Sequence, residues 1–415
     1  METLDVWLLD RRAGQLEQNR GRLSFVYVPD YVSAPGPPLS RALPVRAEPF
    51  DDTVTESFFA NLLPEGKVRR AAARLRNVSE RNDFGLLSAL GGDCAGAISL
   101  VQPGERARPA ERERTVEWLD DATLAAAIDD VPRRPLMADP DGDVRISLAG
   151  AQDKLVVVVE DGRIGQPLGS TPSTHIIKTP IDELVDSVAN EAFCLRLAGK
   201  LGIGAANATV ERVAGREFLL VERYDRGADE GGLVTRVHQE DFCQALGVPP
   251  ELKYENEGGP KLADCFRLLG EAVAVPALDT LRLVDAASFN FLIGNHDAHG
   301  KNFALLHAAD GTRLAPFYDL LSTTVYDLGR KMAMRLGGEY RAEYVRRRHV
   351  ERFAVEAGLG AAAALRRVRG FAKRAAAAAT TVADELRDEG GHRAVVGDIV
   401  DTVAARAAQL QRELG

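Results

Sequence analysis

The sequence predicts an α+β fold in which a β-rich part precedes a mainly helical one. Three patterns carry that prediction. Between about residues 143 and 240, apolar runs of strand length follow one another. After about residue 262, apolar residues recur at helical spacing, apart from one hairpin over Phe303 to Phe317. Ahead of both, residues 1 to about 100 alternate and turn like a small α+β unit of their own.

In chain order, Leu4 to Leu9 and Leu23 to Val28 alternate as half-buried strands. The turn Ala34-Pro35-Gly36-Pro37-Pro38 ends that section. Ser57 to Arg76 reads as helix broken at Pro64-Glu65-Gly66, and Gly91-Gly92-Asp93 precedes a short strand over Ala97 to Leu100. Residues 102 to 115 carry charge without periodicity. The first subdomain is therefore placed at 1–105, and a linker and connecting segment at 106–142. Strands are expected over Arg145 to Leu148, Lys154 to Glu160, His175 to Lys178 and Phe218 to Tyr224. One helix, Asp186 to Leu201, interrupts them and closes at Gly202. These elements make a β-rich lobe at 143–240. The helical lobe, 241–415, ends in helices over Gly360 to Arg387 and Gly397 to Leu414.

Composition excludes several classes. A chain of 415 residues exceeds one ordinary core, and 45% apolar with 27% charged residues excludes bulk disorder. The longest apolar run, Leu155 to Val159, is strand-sized, far short of a membrane span. The start, Met1-Glu2-Thr3-Leu4-Asp5, lacks a signal peptide's regions. Cys94, Cys194, Cys243 and Cys265 are scattered without zinc spacing and read as reduced thiols of a cytoplasmic protein. A net charge of −9 argues against a large nucleic-acid surface on this chain alone.

The chemistry concentrates late in the chain. Asp279 to Ile293 is helical and breaks at Gly294, which leaves Asn295 to Lys301 as a loop. A strand over Asn302 to Leu306, a turn at Ala309 to Thr312 and a returning strand bring Asp319 back beside Asn302. Asp297 stands at the other end of the same loop. A carboxylate to orient a hydroxyl, and an amide plus a carboxylate to hold magnesium on ATP, are what a protein kinase needs. A polar turn before a surface hairpin accounts for the same residues taken alone. His296 and His299 raise a metal site as a competing idea, but the other histidines (His175, His238, His307, His349, His392) form no matching cluster. His299 is better suited to orienting the loop or Asp297.

Upstream, Ser147-Leu148-Ala149-Gly150-Ala151-Gln152-Asp153-Lys154 joins two strand-like runs, and its small residues would let backbone N–H groups approach phosphate. Lys178 ends an apolar strand, and Glu191 in the following helix is a candidate partner. Leu219 to Asp225 turns from apolar to polar, as a strand leaving a small lobe for an adenine-binding hinge would. A β-turn, a surface lysine and a generic strand explain each of these singly. Their order along the chain is that of a kinase.

Several motifs resemble the HipA family of bacterial kinases. They are Ser-Leu-Ala-Gly-Ala-Gln-Asp-Lys (147–154), Thr-His-Ile-Ile-Lys (174–178), Asn-Glu-Ala-Phe-Cys (190–194) and Val-Glu-Arg-Tyr-Asp-Arg (221–226). Gln-Glu-Asp-Phe-Cys-Gln (239–244), Lys-Tyr-Glu-Asn-Glu-Gly-Gly-Pro (253–260), Ile-Gly-Asn-His-Asp-Ala-His-Gly-Lys-Asn (293–302) and Pro-Phe-Tyr-Asp-Leu-Leu-Ser (316–322) continue the series. The resemblance runs from about Val144 to Ser322, departing mildly where Asp153 replaces a common Glu.

It implies a kinase-like bilobal fold and a serine/threonine protein kinase that is the toxin of a type II toxin–antitoxin pair. Asp297 would be the base, Asn302 and Asp319 the magnesium ligands, and Lys178 a contact to ATP phosphate. Ala149, Gly150, Ala151, Gln152, Asp153 and Lys154 would form the phosphate loop, with His299 and Lys301 also at the nucleotide. Glu222, Arg223 and Tyr224 would line the adenine, and Ser147 would be autophosphorylated to silence the enzyme. Implied partners are a HipB-like helix-turn-helix antitoxin contacted by the N-terminal subdomain, operator DNA mainly through that antitoxin, and a target in translation such as an aminoacyl-tRNA synthetase. A non-catalytic corepressor scaffold and a small-molecule kinase of the same fold are the competing readings.

Overall fold

The computed structural model describes residues 1–105, 115–137, 145, 147–150, 152–169, 171–229, 234–389 and 393–415. The chain begins with β1 (Glu2–Leu8), β2 (Arg11–Asn19), β3 (Arg22–Tyr27), α1 (Pro29–Ser33), α2 (Asp52–Phe59), α3 (Gly66–Leu75), α4 (Asp83–Leu90) and β4 (Ile98–Val101). Next come β5 (Thr115–Trp118), α5 (Asp121–Asp130), β6 (Lys154–Glu160), β7 (Arg163–Leu168), β8 (His175–Lys178), α6 (Ser187–Leu201), β9 (Ala208–Val213) and β10 (Arg216–Glu222). Then follow β11 (Arg226–Ala228), β12 (Val234–Arg236), β13 (His238–Asp241), α7 (Phe242–Leu246), α8 (Leu262–Ala272) and α9 (Pro276–Ile293). The last are β14 (Ala304–Ala308), β15 (Gly311–Leu314), β16 (Lys331–Leu336), β17 (Glu339–Arg341), α10 (Arg347–Glu356), α11 (Ala361–Asp388) and α12 (Ala394–Glu413).

These elements form two compact units. The first holds Met1–Thr179, Glu211–Pro250 and Leu306–Ala308; the second holds Pro180–Val210, Glu251–Leu305 and Ala309–Gly415.

In the first unit, β3-β2-β1-β4 is an antiparallel sheet whose buried side chains, among them Leu4, Leu16 and Phe25, share a core with Phe50, Phe58 and Phe59. Alternation along β1 and β3 puts one set of residues on that core. A second sheet runs in the order β5-β7-β6-β8-β10-β9. Its β6 is a continuous apolar run, Leu155 to Val158, fully buried as an interior strand. Leu124 and Ile128 of α5 pack on it beside Ile177 and Phe218.

A buried ion cluster lies within this unit. Asp93 accepts from Arg226 at 2.8 Å and lies 3.0 Å from Arg236; its other oxygen accepts from the Ser173 hydroxyl at 2.7 Å and from Arg223 at 3.4 Å. Asp225 accepts from Arg223 at 2.8 and 3.0 Å and from the Gly96 N–H at 2.6 Å. Burial alone would raise the Asp93 carboxyl, but Arg226, Arg236, Arg223 and the Ser173 hydroxyl outweigh it and hold it well below the usual carboxylate range.

Several expectations change. The described part of Arg145 to Leu148 is not a strand. The Asp93 N–H donates to the Arg145 carbonyl at 2.8 Å and the Ser147 N–H donates to the Asp93 carbonyl at 3.0 Å, a bridge too short to make one. The expected linker over 106–142 contains β5 and α5, although its 106–114 and 138–142 lie outside the described residues. The helix is signalled locally: Asp120 caps it by accepting from the Thr123 N–H at 2.8 Å, and Leu124, Ala125 and Ile128 fall on one buried face.

The boundary expected at residue 240 moves as well. Residues 241–250 belong to the first unit, where Asn61 donates to the Val248 carbonyl at 2.9 Å. Residues 180–210, with α6, belong to the second. There Asn190 grips the Ser322 backbone, donating to its carbonyl at 2.9 Å and accepting from its N–H at 2.8 Å, and Arg196 pairs with Glu389 at 2.6 Å. Two short strands, β16 and β17, are also found where only helix was expected.

α9 is the central helix of the second unit, buried without a break from Leu283 to Ile293. It stops at Gly294, where φ is 73°. A Cβ there would lie 2.0 Å from Thr324 Oγ1, so glycine is required both for the left-handed turn and for the close approach.

Two stability outcomes follow from these contacts. Asp93→Asn should lose about 3–5 kcal/mol at pH 7 by denaturant titration, because Asp225 is then the one carboxylate of this cluster left against three buried guanidinium groups. Since the folded pKa is depressed, the aspartate's contribution is complete above the unfolded value of about 3.9 and fades as pH falls below it. The deficit of the variant should shrink in the same range, and equal stability at pH 7 would contradict the assignment. Gly294→Ala should lose at least about 2 kcal/mol in the same titration.

Candidate active site

The loop after α9 is built from buried hydrogen bonds. The Gly294 carbonyl accepts from the N–H groups of Thr323 at 3.0 Å and Thr324 at 3.2 Å, while the His296 N–H donates to Thr323 Oγ1 at 2.9 Å. Asn295 donates through its amide to Asn290 Oδ1 at 3.1 Å and accepts the Asp297 N–H at 3.1 Å. The His296 carbonyl takes the Ala333 N–H at 2.7 Å. With its backbone held this way, the loop buries every residue from Phe291 to Leu306 except Asp297, which is exposed.

The loop then folds onto Asn302. Asn302 Oδ1 accepts the His299 N–H at 3.0 Å, and Asn302 Nδ2 donates to Asp319 Oδ2 at 3.0 Å. The hairpin β14–β15 closes this pair, with the Ala315 N–H on the Ala304 carbonyl at 2.9 Å and the Tyr318 hydroxyl donating to the Lys301 carbonyl at 2.5 Å. Asp319 has φ 57°, a left-handed conformation uncommon for residues with a Cβ, though aspartate adopts it more readily than most. Asp297, Asn302, Asp319, His299 and Lys301 therefore share one site in the second unit. Its side-chain oxygens are hard donors, one amide and one carboxylate within hydrogen-bond distance, a set that fits magnesium.

The alternative metal ligand, His296, is engaged elsewhere. Its Nδ1 lies 3.1 Å from the Gly329 carbonyl and its Nε2 lies 3.4 Å from Arg406 Nη2, while burial lowers its pKa. Among the described residues, no three His, Cys, Asp or Glu side chains gather into a metal cluster.

The expected phosphate loop lies in the first unit and is docked on N-terminal residues. Ser147 is fully buried and donates through Oγ to the Leu62 carbonyl at 2.8 Å. The Glu65 N–H donates to the Gly150 carbonyl at 3.0 Å, and Lys67 pairs with Asp153 at 3.0 Å. Gly150 has φ 110°, a conformation open to glycine. Gln152 donates to the Thr179 carbonyl at 3.1 Å, and Lys154 Nζ donates to the Ala149 carbonyl at 2.6 Å. Ala151 lies outside the described residues. Lys154 and Lys178 are register partners across β6 and β8, which puts both ammonium groups on one face of the sheet. Like charges placed so repel, and an anion between them converts the repulsion into binding.

One expectation needs correction. Arg223 does not offer its side chain to a ligand: it is buried, its guanidinium is held by Asp93, Asp225, Ser173 and the Cys94 carbonyl, and its backbone N–H is donated to the Thr174 carbonyl at 2.9 Å. Its neighbours differ, since Glu222 is exposed and pairs in register with His175, and Tyr224 donates its hydroxyl to Gln239. Glu191 is buried on α6, within the second unit.

Sequence reasoning passed over Asn295, Thr323, Asp93 and Tyr254. Tyr254 had a signal, because it lies in the 253–260 motif to which no role was given; the others are short polar residues of the kind found in any loop.

Comparison with known proteins places these features. Residues 4–101 match the HipA N-terminal domain and residues 146–380 the HipA-like C-terminal domain. A putative kinase of Sinorhizobium fredii, Y4mE, is 44% identical over 98% of each chain. The serine/threonine-protein kinase toxin HipA of Shewanella oneidensis is 32% identical over 81% of this chain and 79% of the toxin. Among solved structures, a chain from the Shewanella oneidensis MR-1 complex of HipA, HipB and operator DNA superposes with a TM-score of 0.82 at 28% identity, covering 99% of this chain and 96% of that one. The fold is α+β and kinase-like, as the sequence predicts. With both domains matched and the arrangement shared along nearly its whole length, the chain belongs to the HipA family.

Proposed function

We propose that this protein is an ATP- and magnesium-dependent serine/threonine protein kinase, the toxin of a toxin–antitoxin pair. One observation carries the reading: a loop that buries all its neighbours leaves the Asp297 carboxylate exposed, with the Asn302–Asp319 pair on the same loop and hairpin. In this reading Asp297 accepts a hydrogen bond from the serine or threonine hydroxyl and takes its proton as the phosphoryl group is transferred. Asn302 and Asp319 hold the metal through their oxygens. Bound magnesium neutralises charge on the ATP phosphates. Lys178, with Lys154 in register, and the 149–154 loop bind those phosphates, while Glu222 and Tyr224 border the adenine.

Ser147 is the proposed site of self-phosphorylation. Its oxygen is buried and bonded, so the loop has to undock before a phosphoryl group can be received. A phosphoserine carries a charge of about −1.5 to −2 and has no place in that buried seat, so modification would leave the loop displaced and the kinase silent. The N-terminal domain is the proposed contact for a HipB-like helix-turn-helix antitoxin. Operator DNA would be reached mainly through that partner, in keeping with a net charge of −9 on this chain. The proposed target is a component of translation, such as an aminoacyl-tRNA synthetase, met in the cytoplasm.

Incubation with γ-labelled ATP and magnesium separates this reading from its rivals. Label on protein, with Ser147 a site and Ser147→Ala abolishing that signal, is expected. Asp297→Asn should lower transfer at least about 100-fold with the melting temperature unchanged. Tight antitoxin binding with no turnover would favour a corepressor scaffold, and turnover on metabolites without protein labelling would favour a small-molecule kinase.

A further inference from the structure

The segment at 253–260 is a motif the proposed chemistry leaves without a task, and it lies against the catalytic loop. The Tyr254 hydroxyl donates to Asp297 Oδ1 at 2.8 Å. Its ring meets the His299 ring edge-on, with centroids 5.1 Å apart and planes at 83°. The residue before it, Lys253, accepts the Gly300 N–H on its carbonyl at 3.4 Å. The residue after it, Glu255, is buried and clasps Arg335, accepting from its backbone N–H at 2.7 Å and its Nε at 2.6 Å. The turn that ends the segment needs its two glycines: Gly258 has φ 105°, and a Cβ on Gly259 would lie 2.1 Å from the Leu252 carbonyl oxygen. These contacts hold the Tyr254 phenol at one carboxylate oxygen of Asp297.

An exposed aspartate has rotamer freedom that its buried neighbours lack, and a base has to keep its carboxylate aimed at the incoming hydroxyl. We propose that Tyr254 is the positioning residue for Asp297. Its hydrogen bond to Oδ1 fixes the carboxylate rotamer in which the base meets the substrate hydroxyl. The inference rests on the kinase reading above and extends it by one residue. It also gives the Gly-Gly turn and the Glu255–Arg335 pair a purpose, as the frame that sets the height of the phenol.

Tyr254→Phe is the test, because it deletes one oxygen and keeps the ring against His299. Transfer of labelled γ-phosphate from magnesium–ATP to myelin basic protein should show kcat reduced about 10- to 100-fold. The KM for ATP and the melting temperature should match wild type, a split that a merely structural residue would not produce. An unchanged kcat would overturn the inference, and so would a fall in kcat accompanied by a raised KM for ATP or a lowered melting temperature. If wild-type protein transfers no more phosphate than Asp297→Asn, the kinase reading itself fails. That outcome is visible without the Tyr254 variant.

Discussion

The site depends on one constraint: a loop buried everywhere but at Asp297 has to satisfy its own backbone. Gly294, Asn295 and His296 do so through Asn290, Thr323, Thr324 and Ala333, the Asn302 N–H does so through the His299 carbonyl, and the His299 N–H through the Asn302 side chain. With those bonds in place, the loop has little freedom of its own, and the backbone of Asp297 is held at a defined point. Asp319 turns left-handed and its carboxylate returns to the Asn302 amide.

A comparable arrangement governs the first unit. Asp93 uses its backbone to grip the entry of the phosphate loop at Arg145 and Ser147, and its side chain to hold Arg223, Arg226 and Arg236. Leu62, Glu65 and Lys67 hold the rest of the loop. The N-terminal domain is therefore part of the scaffold of the phosphate loop. A change in how residues 1–105 are packed would be felt at Ser147 and Gly150 through these bonds.

Much of this was legible in the sequence, for identifiable reasons. β6, α9 and the β14–β15 hairpin are long apolar or turn-bounded segments, and local patterning decides such elements. The Asn302–Asp319 contact follows from hairpin closure, so it could be placed without any long-range assumption. β2 escaped notice because Arg11 to Asn19 is mostly polar, with only Ala13 and Leu16 as apolar core residues, and is held by its neighbours β1 and β3. The unit to which α6 belongs was misjudged because chain order says nothing of partners. Asn190 reaches Ser322, and Arg196 reaches Glu389, far along the chain. The burial of Arg223 was missed for a similar reason: in the sequence it adjoins an adenine-like strand, and only the fold reveals Asp93 and Asp225 around it.

The central claim is a magnesium–nucleotide site built on Asn302 and Asp319. Calorimetric titration with a non-hydrolysable ATP analogue, with and without magnesium, tests it most directly. The account predicts magnesium-dependent binding to the wild-type protein, retained in Asp297→Asn and weakened at least about tenfold in Asp319→Asn. Binding that is absent, or that is indifferent to both magnesium and Asp319, would contradict it.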